Sequence, residues 1–208
     1  MSGQLSTSGG YAGPAWLQTP GTHFQGLDFV VRQILAGKAF LMLAKVMSVT
    51  GGGVGTPAIV SVQPTVNQVD GLGNQTAHGT IYNIPCFRYQ GGSTAVIVDP
   101  VVGETGLLAV CQRDISAVKA NGGAISPPGS ARQHDWSDGI YLGSVLGDTP
   151  TTYVQVTGND IHLHAGGHIY LEGNVVHTGT FISNGKNIGS THEHGGVQTG
   201  SGNTGQPI

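Results

Sequence analysis

The alternation of apolar and polar positions divides this chain into stretches of different period. In LDFVVRQILAGK, residues Leu27, Val30, Val31, Ile34 and Leu35 recur at helical spacing, and Gly37 supplies a C-terminal stop, so one short amphipathic helix is predicted. From Ala39 to about Lys119 the period drops to two. KAFLMLAKVMSV and PAIVSVQPTVNQV flank the turn-rich TGGGVGT, which predicts a hairpin; IYNIPCFRY, TAVIVDPVV and TGLLAVCQR follow as further strands, separated by Gly, Pro and Asp. NGGAISPPGSARQHDWSDG then breaks the pattern. An irregular connector is expected over 121–150, stiffened by Pro127 and Pro128.

After the connector the units shorten. YVQVTGND, IHLHAGGH, IYLEGN, VVHTGT and FISNGKN each open on a short alternating run and close on a turn marked by Gly, Asn or Asp. Units of this kind resemble β-helix rungs, whose strands are too short to bury an apolar face alone. Val154, Val156, Ile161, Leu163, Ile169 and Leu171 would form the inward rows. Such a stripe is too narrow for a single-chain solenoid. Three chains wound about one axis would pool their stripes, so 151–189 is expected to form a homotrimeric, triple-stranded β-helix shaft. The predicted class is therefore all-β. Within it, 26–120 forms the helix plus a five-stranded OB-fold-like barrel, with an open sandwich as the other arrangement, and 1–25 forms an arm rich in Gly, Ser, Thr and Pro.

Composition sharpens this picture. The chain has 208 residues with 36 Gly and only 9% charged side chains, which fits a turn-rich β protein with much of its surface hidden in an oligomer. A net charge of -3 provides no basic field, so no nucleic-acid partner is expected. Cys86 and Cys111 lie in apolar stretches outside any zinc-type spacing and read as buried free thiols, with a disulfide between them as the alternative. The N-terminal stretch lacks the charged and apolar regions of a secretory signal, and no apolar run reaches the length of a spanning helix.

Candidate chemistry concentrates at the end of the chain. In residues 190–208, STHEHGGVQTGSGNTGQPI, alternation would put His192 and His194 on one face and Glu193 on the other. Two imidazoles per chain are too few for a metal site. Three copies about an axis supply six, a set that suits an octahedral ion such as Fe(II) better than zinc. A rival metal group, His162, His164, His168 and Glu172, departs from the spacing of cupin-type metalloenzymes, and alternation turns His162 and His164 outward. Asp135 and Asp138 around Trp136 read as a turn held by aspartates rather than as a carboxylate pair of a sugar-cleaving site. No nucleophile elbow, zinc-protease helix motif or phosphate loop occurs, so no enzyme is expected.

The segment GKNIGSTHEHGGVQTGSGNTGQPI resembles the C-terminus of the central spike, the membrane-piercing baseplate protein of contractile-tailed bacteriophages. The matching positions are Lys186, Ile188, His192, His194, Thr204, Gly205 and Pro207, and GETGLLAVCQRDISAVKANGG resembles the end of that family's N-terminal barrel. Residues 1–25 and the connector around Trp136 share no such likeness. The resemblance implies a homotrimer with a barrel collar, a β-helix shaft and an apex binding one iron ion through six imidazoles. It also implies a tail-hub partner at the N-terminal end, transient mechanical contact with the host outer membrane, and residence at the virion's baseplate tip. The alternative from another class is a trimeric fibre that recognises a surface polysaccharide, for which the shaft offers Tyr153, Tyr170 and Phe181.

Overall fold

The computed structural model describes residues 23–193, 196 and 200. Most of the expected arm therefore lies outside the described residues. The chain divides into two compact units, Met1–Asp148 and Thr149–Ile208. Its regular structure is mostly β with few helices.

In the first unit, α1 spans His23–Ala36 and ends where Gly37 N–H donates to the Gln33 carbonyl. Its polar side carries an Arg32–Asp28 pair at 2.8 Å. The long hairpin follows as β1 (Leu41–Gly52) and β2 (Thr56–Pro64), turned by glycines at positive φ at Gly51, Gly52 and Gly53. A small hairpin, β3 (Gln68–Val69) with β4 (Gln75–Thr76), precedes β5 (Ile81–Pro85). A second one pairs β6 (Tyr89–Gly91) with β7 (Thr94–Val96) before β8 (Thr105–Val110). Helix α2 (Ser116–Ala120), a 3-10 turn at Trp136–Asp138 and β9 (Gly139–Leu146) complete the unit.

The main sheet has the order β5-β2-β1-β8-β9, and every neighbour is antiparallel. Register shifts interrupt the β1–β2, β2–β5 and β8–β9 ladders. Bulges of this kind bend strands and raise their twist. The edge strands consequently meet at one parallel bridge, Cys86 with Tyr141, where Phe87 N–H donates to the Tyr141 carbonyl at 2.7 Å. The concave face encloses Ala44, Val46, Val60, Val62, Ile84, Leu108 and Tyr141, all essentially inaccessible to solvent. Gly106 is required there, because a Cβ at that position would collide with the Tyr141 ring and the Gly143 carbonyl.

Two expectations are corrected. TAVIVDPVV does not supply a strand to the main sheet; its first residues form β7, which pairs only with β6. The fifth strand is GIYLGSVL, inside the stretch read as a connector over 121–150, so irregular structure gives way to β9 at Gly139. Glycines at 139, 143 and 147 hide this strand's alternation, and its partner β8 lies far upstream in sequence.

The connector proper is held by buried charge. Arg132 donates through Nε to Asp138 Oδ2 at 2.7 Å and through Nη2 to Asp138 Oδ1 and Asp114 Oδ1, both at 2.9 Å. Both carboxylates are buried. Hydrogen bonds from Ser116 and Ser130, with the Arg132 charge adding to them, hold the Asp114 carboxyl well below the usual carboxylate range. Asp135 caps the 3-10 turn by accepting from Ser137 N–H at 2.9 Å. The aspartates around Trp136 thus tie down a turn.

The second unit consists of two short hairpins: β10 (Tyr153–Val156) with β11 (Ile161–His164), and β12 (Ile182–Ser183) with β13 (Lys186–Asn187). The first is antiparallel, pairing Val154 with Leu163 and Val156 with Ile161. These four side chains share one face, because directly opposed residues lie on the same side of a ladder. Among the described residues of this unit, none is buried. Ile169, Leu171, Val175, Val176, Phe181 and Ile182 are all more than half exposed.

Candidate functional site

The candidate apex is built outward from the β12–β13 hairpin. Asn184 and Gly185 both adopt positive φ, at 49° and 77°, in a two-residue connection of the Asn-Gly type that suits the right-handed twist of a hairpin. The ladder continues where Ile188 N–H donates to the Phe181 carbonyl at 2.8 Å. Asn187 then organises the exit. Its Oδ1 accepts from Gly189 N–H at 2.9 Å and its Nδ2 donates to Thr191 Oγ1 at 2.8 Å.

This leads to His192, whose backbone N–H donates to the Gly189 carbonyl at 3.1 Å and whose ring Nδ1 lies 2.6 Å from the same oxygen. A carbonyl oxygen can only accept, so Nδ1 carries the proton of this bond. In the neutral ring the lone pair then resides on Nε2. Histidines that ligate metals are commonly oriented in this way, with the second ring nitrogen donating to a carbonyl. His192 is exposed, and Glu193 beside it is exposed too. His194 and the terminal positions Thr204, Gly205 and Pro207 lie outside the described residues. Among the described residues no group of three or more His, Cys, Asp or Glu side chains is gathered to hold a metal ion within one chain.

The rival histidines are not gathered either. His162 stands opposite Gln155 and His164 opposite Tyr153, on the face away from Val154 and Leu163. His164 stacks on Tyr153 with ring centroids 5.0 Å apart, and its Nδ1 lies 3.0 Å from the Thr151 carbonyl. His168 instead neighbours Tyr170. Glu172 is exposed.

No protein-family model matches the sequence, and no match is found among curated proteins.

Sequence reasoning missed a cleft in the first unit. It has a volume of about 300 Å³ where β5 and β9 meet, and Phe87, Arg88, Val98, Asp99, Tyr141 and Leu142 contribute to its lining. Its polar groups are engaged with one another. Tyr141 Oη donates to Glu104 Oε1 at 2.7 Å, Arg88 donates to the Gly53 carbonyl at 2.8 Å, and Asp99 accepts from Gly53 N–H at 2.5 Å. Cys86 and Cys111 are free and half-buried. Burial, then the Asp99 and Glu104 charges, push the Cys86 thiol up to about 11, which suppresses the thiolate a nucleophile would need. Only the isolated bridge between Cys86 and Tyr141, invisible in either segment alone, could have revealed this cleft.

Proposed function

We propose that the chain is one third of a homotrimeric, non-enzymatic spike that pierces the host outer membrane at the baseplate tip of a contractile-tailed phage. The carrying observation is the second unit: aligned apolar residues on a regular hairpin, with no buried residue among those described. Fully burying one Val, Leu or Ile side chain contributes about 1.5–3 kcal/mol. A hairpin that leaves a row of them in water gains almost none of this alone and gains it when three copies share a core. This supports an intertwined β-helix shaft over 151–189.

The first unit supports the collar. An antiparallel five-stranded sheet whose edge strands approach each other in parallel is the arrangement of an OB-type barrel. At the apex, the His192 tautomer suits ligation through Nε2, and three copies of His192 and His194 would supply six imidazoles to one iron ion. That ion would cross-link three chain ends where apolar contacts are few. Asn187 and Gly189 orient the His192 ring beforehand. A tail-hub protein at the collar end and the host outer membrane are the partners that follow from the resemblance to phage spikes.

The test is light scattering together with elemental mass spectrometry on untagged protein. A trimer holding one iron per three chains is expected. Replacing both His192 and His194 with Ala should remove the iron and leave the trimer. A monodisperse folded monomer overturns the spike. Unchanged metal content in the double variant overturns the apex, and so does iron retained through dialysis in acid, since imidazole binds metal only when deprotonated.

A further inference from the structure

Strand β11 carries two histidines that the proposed spike leaves unused. Residues two apart on a strand project to the same face, so His162 and His164 stand side by side, about 7 Å apart along the backbone. The opposite face takes Ile161 and Leu163, which pair across the hairpin with Val156 and Val154. Gln155 lies directly opposite His162 and Tyr153 opposite His164, so these four side chains share one surface. His162, His164 and Gln155 are exposed, and Tyr153 is half-buried.

The His164 ring is oriented in advance. Its Nδ1 lies 3.0 Å from the Thr151 carbonyl, an oxygen that can only accept, so in the neutral ring Nδ1 holds the proton and Nε2 the lone pair. Stacking on Tyr153, with ring centroids 5.0 Å and planes 14° apart, fixes the plane of the imidazole. Metal-ligating histidines are commonly held in this way, by a carbonyl at the second ring nitrogen. The exposed His162 side chain can rotate among its rotamers to turn its ring toward the same point.

Among the described residues these rings join no group of three or more His, Cys, Asp or Glu side chains. The pair therefore offers two nitrogens and leaves the other coordination positions to water. Adjacent imidazoles with open positions suit Cu(II) and Ni(II), which favour square-planar or tetragonal N and O donors, and Cu(II) leads the divalent affinity order.

We propose that His162 and His164 form a bidentate surface site for a late divalent first-row ion, Cu(II) foremost. Gln155, across the ladder, offers an amide oxygen as a weaker third donor. Both imidazoles belong to one strand of one chain, so the site does not rest on the trimeric reading. If Ile161 and Leu163 do face a shared core, the chelate faces outward from it.

The test titrates untagged, full-length protein with copper(II) chloride at neutral pH. Electron paramagnetic resonance reads the ligands, and copper retained after gel filtration reads the stoichiometry. A tetragonal spectrum with splitting from two nitrogen nuclei is expected. One retained copper per chain should be lost in His162→Gln and equally in His164→Gln, with the thermal transition unchanged because both side chains are exposed. His168→Gln and the His192→Ala, His194→Ala double variant should keep it. Loss in only one of the two β11 variants, or in neither, overturns the chelate. Loss in the double variant places the copper at the apex and overturns it too. A monomer by light scattering that still binds copper through both residues overturns the spike and leaves the chelate standing.

Discussion

The two units of this chain put similar residues to opposite use. In the first, Val46, Val60, Val62, Ile84 and Leu108 disappear into one interior on the inner face of a bulged five-stranded sheet. In the second, Val154, Val156, Ile161 and Leu163 alternate just as regularly and remain in solvent. The difference lies in strand length and connection. Strands of up to 12 residues in the first unit can bend over a shared interior, whereas strands of two to four residues in the second can cover nothing. Alternation therefore reports which face seeks burial, and strand length decides whether one chain can provide it.

The largest effect that would break this comparison comes from Leu163→Asp. At an exposed position of a monomer such a change alters stability by about 0.5 kcal/mol or less. In a threefold core it brings three carboxylates together without partners, and burying unpaired charge is prohibitive. Loss of the trimer in light scattering is expected, with the first unit's thermal transition preserved. A variant that remains trimeric would show that this row faces solvent.

The complementary variant is Leu108→Ala, which opens a cavity beneath Tyr141 and should cost the first unit about 2–5 kcal/mol in chemical denaturation. Iron at the proposed apex should be unaffected, because His192 belongs to the other unit. Joint loss of both would mean that the two units do not fold separately.

Next in size is Arg132→Ala, which leaves Asp114 and Asp138 buried without their cation. Breaking the cluster in this way is destabilising, by less than for a fully buried pair, since the guanidinium is itself 38% exposed and screened by water. The same cluster sets an acid response. Asp114 is held below its ordinary value in the folded state, so its contribution is complete above the unfolded carboxylate value, about 3.9. It fades as pH falls from there toward the folded value. The first unit's melting temperature should therefore hold down to about pH 4 and drop below it, and Ser130→Ala should weaken that dependence.

Much of this arrangement could be read from the chain before folding. Helical spacing at Leu27–Leu35 and the TGGGVGT turn are local signals, and α1 and the β1–β2 hairpin follow them. The fifth strand escaped notice because its signal is not local. Ile140 and Leu142 alternate around a Tyr whose burial depends on Gly106, and three glycines dilute the pattern. The Arg132 clamp was hidden for the same reason, as its carboxylates lie at sequence separations of 18 and 6. At the candidate site, the H-x-H spacing marked His192 as chemistry, but the bond to Gly189 that selects its tautomer depends on a turn that Asn187 builds.

The finest test of the first unit's closure is Tyr141→Phe. The ring fills the same volume against Gly106 and Leu108, so packing survives and only the bond to Glu104 is lost. Glu104 keeps the Val101 N–H at 3.1 Å, which limits the cost to about 1 kcal/mol. Alkaline titration supplies the discriminating sign. Burial, then the neighbouring Glu104, raises the Tyr141 phenol well above its ordinary value in the folded state. Its stabilisation is therefore complete below the unfolded value of about 10 and is lost as pH rises beyond it. Wild-type protein should lose stability above that pH more steeply than Tyr141→Phe. Parallel curves would mean that Tyr141 is hydrated, and that the seam between β5 and β9 stands open to water.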